Sequence, residues 1–179
     1  FAGLKPATHT GFYIGFGIGW GSLKMELDDE NDNLSFITDA ESGGAGNFRI
    51  GGALSQKLLL GAEGNSWVKD YEIEYGGGTS EASVVISNLA LALTYYPAEQ
   101  FFIKGGPAIA QATLEFDVPG TIFAGKVEDT GGGLMVGAGG GFRVTNKFAI
   151  VPSAQWTWQA FEDYKINVFS LTLGVGWFW

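Results

Sequence analysis

The chain has 179 residues, of which 29 are glycine, 15% are aromatic and none is cysteine, enough for one domain with a sizeable core and incompatible with a disulfide scaffold. The glycines follow no three-residue period and 46% of the residues are apolar, which excludes collagen-like and disordered chains. Ten Lys and Arg against 19 Asp and Glu leave a formal net charge of −9, the wrong sign for a nucleic-acid partner, whose phosphates need basic residues.

The dominant pattern is alternation with period two, the pleat of a β-strand. From Phe12 to Gly21, Phe12, Ile14, Phe16, Ile18 and Trp20 share one face, while Tyr13 and four glycines share the other. The second element, 47–55, sets Phe48, Ile50 and Leu54 against Asn47, Arg49, Gly51, Ala53 and Ser55. The third, 58–65, sets Leu58, Leu60 and Ala62 against Leu59, Gly61, Glu63 and Asn65. In the fourth, 85–95, Val85, Leu89, Leu91, Leu93 and Tyr95 oppose Ile86, Asn88, Ala90, Ala92 and Thr94. The fifth, 101–110, places Phe101, Ile103 and Ile109 against Lys104, Gly106, Ala108 and Ala110. The sixth, 134–143, places Leu134, Val136, Ala138 and Phe142 against Gly137, Gly139, Gly141 and Arg143. The seventh, 148–158, has Phe148, Ile150, Ala154, Trp156 and Trp158 on its apolar face, and the eighth has Phe169, Leu171, Leu173, Val175, Trp177 and Trp179. Pro107 and Pro152 fall inside elements, where each removes a ladder donor, so a bulge or missing hydrogen bond is expected at each.

No apolar face carries Asp, Glu, Lys or Arg, whereas Arg49, Glu63, Lys104, Arg143 and most strand glycines lie opposite. Burying the greasy faces inside would leave a nearly bare glycine surface in water. A lipocalin-like soluble barrel is therefore the second choice. The fold expected is all-β: an eight-stranded antiparallel up-and-down transmembrane β-barrel, closed because lipid cannot solvate a strand edge. Three connections are short, at 55–57, 97–100 and 145–147, and four are long or polar, at 22–46, 67–82, 112–133 and 160–166. That asymmetry matches periplasmic turns and external loops. Trp20, Trp156 and Trp158 fall toward the loops, and Phe12, Tyr95, Phe101, Phe142, Phe148 and Trp177 toward the turns, as two membrane girdles.

The stretches Gly11 to Gly19, Leu60 to Glu63, Tyr95 to Pro97, Gly137 to Phe142 and Leu171 to Trp179 resemble the small eight-stranded outer-membrane barrels of the OmpA/OmpX-like family. The resemblance spans residues 11–179 and implies a bacterial outer-membrane location. It also implies insertion by the barrel assembly machinery, guided by a last strand with Leu173, Val175, Trp177 and Trp179, which departs from the family in ending on Trp rather than Phe. Residues 1–10 are expected to be a periplasmic tail, and the start at Phe1 rather than Met is that of a chain either trimmed or processed, in the latter case on export. No peptidoglycan-binding domain is expected after the barrel.

An antiparallel register about Gln56 puts Leu54 opposite Leu58, Ile50 opposite Ala62 and Arg49 opposite Glu63, and one about Ala98 puts Lys104 opposite Ala92. The expectation is a lumen cluster of Arg49, Glu63 and Lys104, either neutralising one another in a plugged barrel or, as the resemblance implies, forming a gate. With Glu63 and Glu99 set aside, the outer half carries seventeen acids against Lys24, Lys69, Lys126 and Lys165, about −13 in formal charge. Asp28, Glu30, Asp32 and Asp39 offer oxygen ligands for a loose divalent cation, without the glycine or final glutamate of a true calcium loop. Such a cation would bridge the acidic loops to lipopolysaccharide. The sole histidine, His9, lies in the tail, away from any external site for acid–base chemistry. No enzyme activity and no cofactor are therefore expected. The function expected is a structural or surface-interaction role through acidic external loops, with a protein partner there. The alternatives are a narrow pore or small-molecule conduit, or one subunit of a larger envelope assembly.

Overall fold

The computed structural model describes residues 11–27, 39–75, 78–117 and 124–179. The strands are β1 (Phe12–Leu27), β2 (Glu41–Ser55), β3 (Leu58–Tyr75), β4 (Gly78–Tyr95), β5 (Phe101–Asp117), β6 (Ala124–Gly140), the two-residue β7 (Phe142–Arg143), β8 (Phe148–Ala160) and β9 (Tyr164–Phe178). They form one sheet in the order β6-β5-β4-β3-β2-β1-β9-β8-β7, closed by pairing of β6 with β8. Both β6 and β7 pair with β8 in one continuous register, from Gly139 opposite Ser153 to Phe142 opposite Ile150. They are one wall strand interrupted at Gly140 and Gly141, across from Pro152 and Val151. The wall therefore has eight strands.

Both prolines act as expected. Pro152 stands at the break between β6 and β7, and the β4–β5 pairing skips Leu91 and Ala92, across from Pro107 and Gly106. A proline has no N–H to give, and the ladder opens where that donor is missing.

The lengths of the strands correct the sequence reading. The segments 67–82 and 112–133 are mainly strand rather than loop, and both described ends of 22–46 are strand too, because β1 runs to Leu27, β3 to Tyr75 and β5 to Asp117, while β2, β4 and β6 begin at Glu41, Gly78 and Ala124. The reason is an inversion of polarity along a continuous ladder. From Phe12 to Trp20 the outward residues are apolar and lipid-facing, but beyond them Ser22, Lys24 and Glu26 point outward while Leu23 and Met25 turn in. Likewise Asn167 and Lys165 face outward on β9 while Val168 and Ile166 are buried. The barrel leaves the membrane without ending, and above it the wall has the polarity of a soluble protein.

Glycines make room for the few large side chains that point into the lumen. A Cβ added at Gly21 or Gly43 would lie 2.7 or 2.6 Å from the Trp67 ring, and one at Gly51 or Gly61 would lie 2.8 or 2.6 Å from Tyr13. At Gly139 and Gly137 it would lie 2.5 Å from Phe102 and 2.9 Å from the Lys104 stem. Gly61→Ala also runs into the Ile50 carbonyl, so it is expected to cost about 1–3 kcal/mol. A urea titration of the protein in lipid vesicles reads that cost, and an unchanged midpoint contradicts the crowding.

Candidate functional site

The lumen is built in three layers. Nearest the turns, Tyr13, Leu59, Tyr96, Phe102, Ala149 and Val151 pack together, with Phe178 against them. At the outer end Leu23, Trp67, Ile86, Ile166 and Val168 form a second apolar plug, and the Trp67 indole N–H donates to the Gly21 carbonyl at 3.1 Å. Between them lies a polar layer. Asn47 donates to Thr172 Oγ1 at 2.9 Å, Ser153 and Thr172 share a hydrogen bond of 2.8 Å, and Asn65 donates to Asn88 at 3.0 Å.

The charged centre of this layer is an ion pair between Lys104 Nζ and Glu63 Oε1, with Lys104 also donating to Gln155 Oε1 at 2.8 Å. Glu63 is 1% exposed and Lys104 5%, so neither charge has water in place of its partner. Arg49 sits opposite Glu63 in the β2–β3 register, yet its guanidinium lies over the Phe102 ring, 5.4 Å from the centroid. The turn-side plug thus holds Arg49 by its face.

Two pairings differ from those expected. Ser55, not Leu54, stands opposite Leu58, because a bulge between Ala53 and Ser55 takes up one residue. Lys104 stands opposite Thr94, not Ala92, because the β4–β5 turn centres one residue later than Ala98. A shift of two keeps the side chain on the same face, so Lys104 still reaches Glu63.

The turn-side layer is closely filled. The void among Tyr13, Arg49, Leu59, Tyr96, Val151 and Phe178 is about 10 Å³, the room of a single water.

Outside the membrane band, β3 to β6 continue as a four-stranded sheet after the β2–β3 pairing ends at Gly44 and Val68 and the β6–β8 pairing ends at Gly132 and Ala160. Its β6 edge, from Ala124 to Thr130, has no strand partner beyond β5 among the described residues. The Thr130 N–H bonds the Asp129 side chain at 2.8 Å, so that amide faces the open side, and the alternation of a strand sends those of Glu128 and Lys126 the same way. Lys126 reaches Glu128 at 2.8 Å and Glu115 at 3.6 Å, and the hydrogen bond it donates to Glu128 raises its ammonium above the ordinary lysine range. On the β3 side Lys69 pairs with Glu41.

The girdle residues Trp20, Trp156 and Trp177 are exposed on the outer surface, and Trp158 is half-buried. At the turn end, Phe148 meets Trp177 edge-on at 5.1 Å and Phe101 meets Phe142 at 6.4 Å. Leu173, Val175 and Trp177 lie on the lipid face of β9, and the Trp179 N–H bonds the Phe12 carbonyl at 2.9 Å. Of the loop acids, Asp39 is exposed just before β2, while Asp28, Glu30 and Asp32 lie outside the described residues, as do His9 and the rest of the 1–10 tail. Among the described residues no group of three or more His, Asp or Glu is placed to hold a metal ion.

Sequence reasoning missed Trp67 and Ile166, the large side chains that fill the outer plug, because both fell in segments read as loops. A signal was present. Leu23 with Met25, Val84 with Ile86 and Ile166 with Val168 each continue the alternation in the opposite phase.

A closed antiparallel barrel with a lipid-facing apolar band, two aromatic belts and polar extensions fits one family, the outer membrane protein beta-barrel domain, which matches residues 3–177. The chain belongs to that family. As a member of it, this barrel is a bacterial outer-membrane protein. A search among curated proteins found no match. Solved structures with the same fold include Ail of Yersinia pestis in complex with the heparin analogue sucrose octasulfate, at 14% identity and a TM-score of 0.64, covering 94% of this chain and 100% of Ail. Neisserial surface protein A is similar at 12% identity and a TM-score of 0.55, covering 95% of this chain and 98% of its own. OprG of Pseudomonas aeruginosa matches at 11% identity and 0.51, covering 97% and 99%.

Proposed function

We propose that this barrel is a non-enzymatic, non-conducting surface protein that presents its outer sheet to a protein partner. The observation carrying the reading is the combination of an apolar cluster at each end of the lumen with a four-stranded sheet beyond the membrane band whose β6 edge has no second strand partner among the described residues. A free edge offers unpaired amides and carbonyls for strand addition, the mode in which main-chain bonds supply affinity. Barrel lipids and the assembly machinery, engaged through Leu173, Val175, Trp177 and Trp179, complete the set of partners.

The partner chemistry differs from that of the Ail complex. Sucrose octasulfate is a polyanion, and the outer half of this chain carries about −13 in formal charge, which repels it. Titration with sucrose octasulfate at physiological salt is expected to show no binding; saturable binding contradicts the assignment of a neutral or cationic partner.

Two measurements test the main reading. In planar bilayers the native protein should give no unitary currents; stable currents abolished by Glu63→Ala or Lys104→Ala would establish the pore instead. A photo-crosslinker at Thr130 in living cells should capture a protein, and Lys126→Pro, which removes an edge donor without touching the β5 ladder, should abolish the adduct. An adduct that survives the proline counts against strand addition.

A further inference from the structure

On the lipid-facing side an apolar groove of about 780 Å³ crosses β9, β8 and β6 and ends at β5 beside Pro97. That volume lies within the roughly 300–1,000 Å³ of ordinary ligand clefts. The floor is low because Ala138, Gly140 and Ala154 are small and flank the ladder break at Pro152. Leu173, Phe101 and Phe142 stand up around it, all exposed on the outer face. The Phe142 ring folds over Gly140, where an added Cβ would come within 2.7 Å of it.

The turn side of the barrel, toward which the groove runs, has a charge of its own. Lys57, Arg143 and Lys147 lie at the turn side against Glu99 alone among the described residues, the reverse of the acidic outer half. The turn carrying Lys147 is tied from two sides: Arg143 Nη1 donates to the Asn146 carbonyl at 2.7 Å, and the Phe178 N–H to the Lys147 carbonyl at 2.8 Å. The backbone at Lys147 is thereby held in the turn that follows the groove residue Phe142, with the lysine itself exposed.

We infer that the groove is a binding site for one acyl chain of an anionic glycerophospholipid of the inner leaflet, with its phosphate drawn to Lys147. Any lipid chain can fill an apolar depression in hydrocarbon, so the groove supplies the seat, and the basic turn rim supplies the choice of headgroup. Exposed charges of this kind act within about a Debye length, roughly 10 Å at 0.1 M salt, so the headgroup preference weakens as salt rises.

The test uses the full chain in phosphatidylcholine vesicles containing chain-spin-labelled phosphatidylglycerol or chain-spin-labelled phosphatidylcholine. The native protein is expected to immobilise a several-fold larger share of the labelled phosphatidylglycerol. Lys147→Glu should erase that preference, and Ala154→Trp, which fills the groove, should remove the extra immobilised component. Leu89→Trp, on the lipid face of β4 away from the groove, should leave both signals unchanged and shows that added bulk on this surface is compatible with folding. Equal immobilisation of the two lipids by the native protein overturns the proposal. So does an unaltered signal in Ala154→Trp, or rapid disulfide dimerisation of Ala154→Cys, which would assign the groove to a second copy of the chain.

Discussion

Glu63→Leu should lower the stability of the barrel by about 3–5 kcal/mol, because it leaves the Lys104 ammonium buried without its counter-charge. Gln155 at 2.8 Å still accepts from Lys104, but a neutral amide oxygen cannot replace a carboxylate. The pair itself is a different matter. Two charges taken out of water lose hydration that their attraction only partly returns, and apolar pairs of similar volume often do as well. The double variant Glu63→Leu/Lys104→Met is therefore expected to recover most of the loss. Urea titrations of the native protein, both single variants and the double variant in vesicles give the coupling directly. If the double variant is as unstable as the sum of the singles, the two groups are not a coupled pair.

The second large effect belongs to the outer plug. Trp67 is 1% exposed and bonded through its indole to Gly21, and Trp67→Ala should cost about 3–5 kcal/mol through the cavity it opens. The damage should be local to the outer third of the barrel. Amides of Leu23, Ile86 and Ile166 should exchange faster, while those beside Phe102 in the turn-side plug keep their protection. Since that second plug stays shut, the variant should still pass no current in a planar bilayer. Conduction by Trp67→Ala alone would mean that the turn-side layer does not seal.

Much of this fold was legible in the sequence. Phe12 to Trp20 and Phe169 to Trp179 reveal their lipid faces by alternation alone, and Arg49 falls opposite Glu63 once the short turn at Gln56 is placed. Lys104 was misplaced by two residues because a turn of several residues does not announce its centre. Parity survived, and with it the lumen contact. The outer strand segments were hidden for a physical reason. At the membrane boundary the greasy phase moves from even to odd positions in β1, from Trp20 to Leu23, so a search for one continuous apolar face stops where the bilayer stops. The outer sheet and its β6 edge, which carry the functional reading, lie beyond that point.

The glycine excess also takes on a sharper meaning. Gly21 and Gly43 around Trp67, and Gly51 and Gly61 around Tyr13, are sockets cut for particular aromatic side chains rather than a general thinning of the lumen.

The uninterrupted run of β1 from Phe12 to Leu27 makes the wall a molecular ruler whose marks are side chains. Its hydrogen bonds are the same in oil and in water, so nothing in the backbone says how thick a bilayer this barrel should occupy. That thickness is written only in where polarity turns over, at Trp20 and Ser22. Exchanging a ring of residues at that height would refit the same scaffold to a thicker or thinner membrane, with mismatch costing fractions of a kcal/mol per ångström.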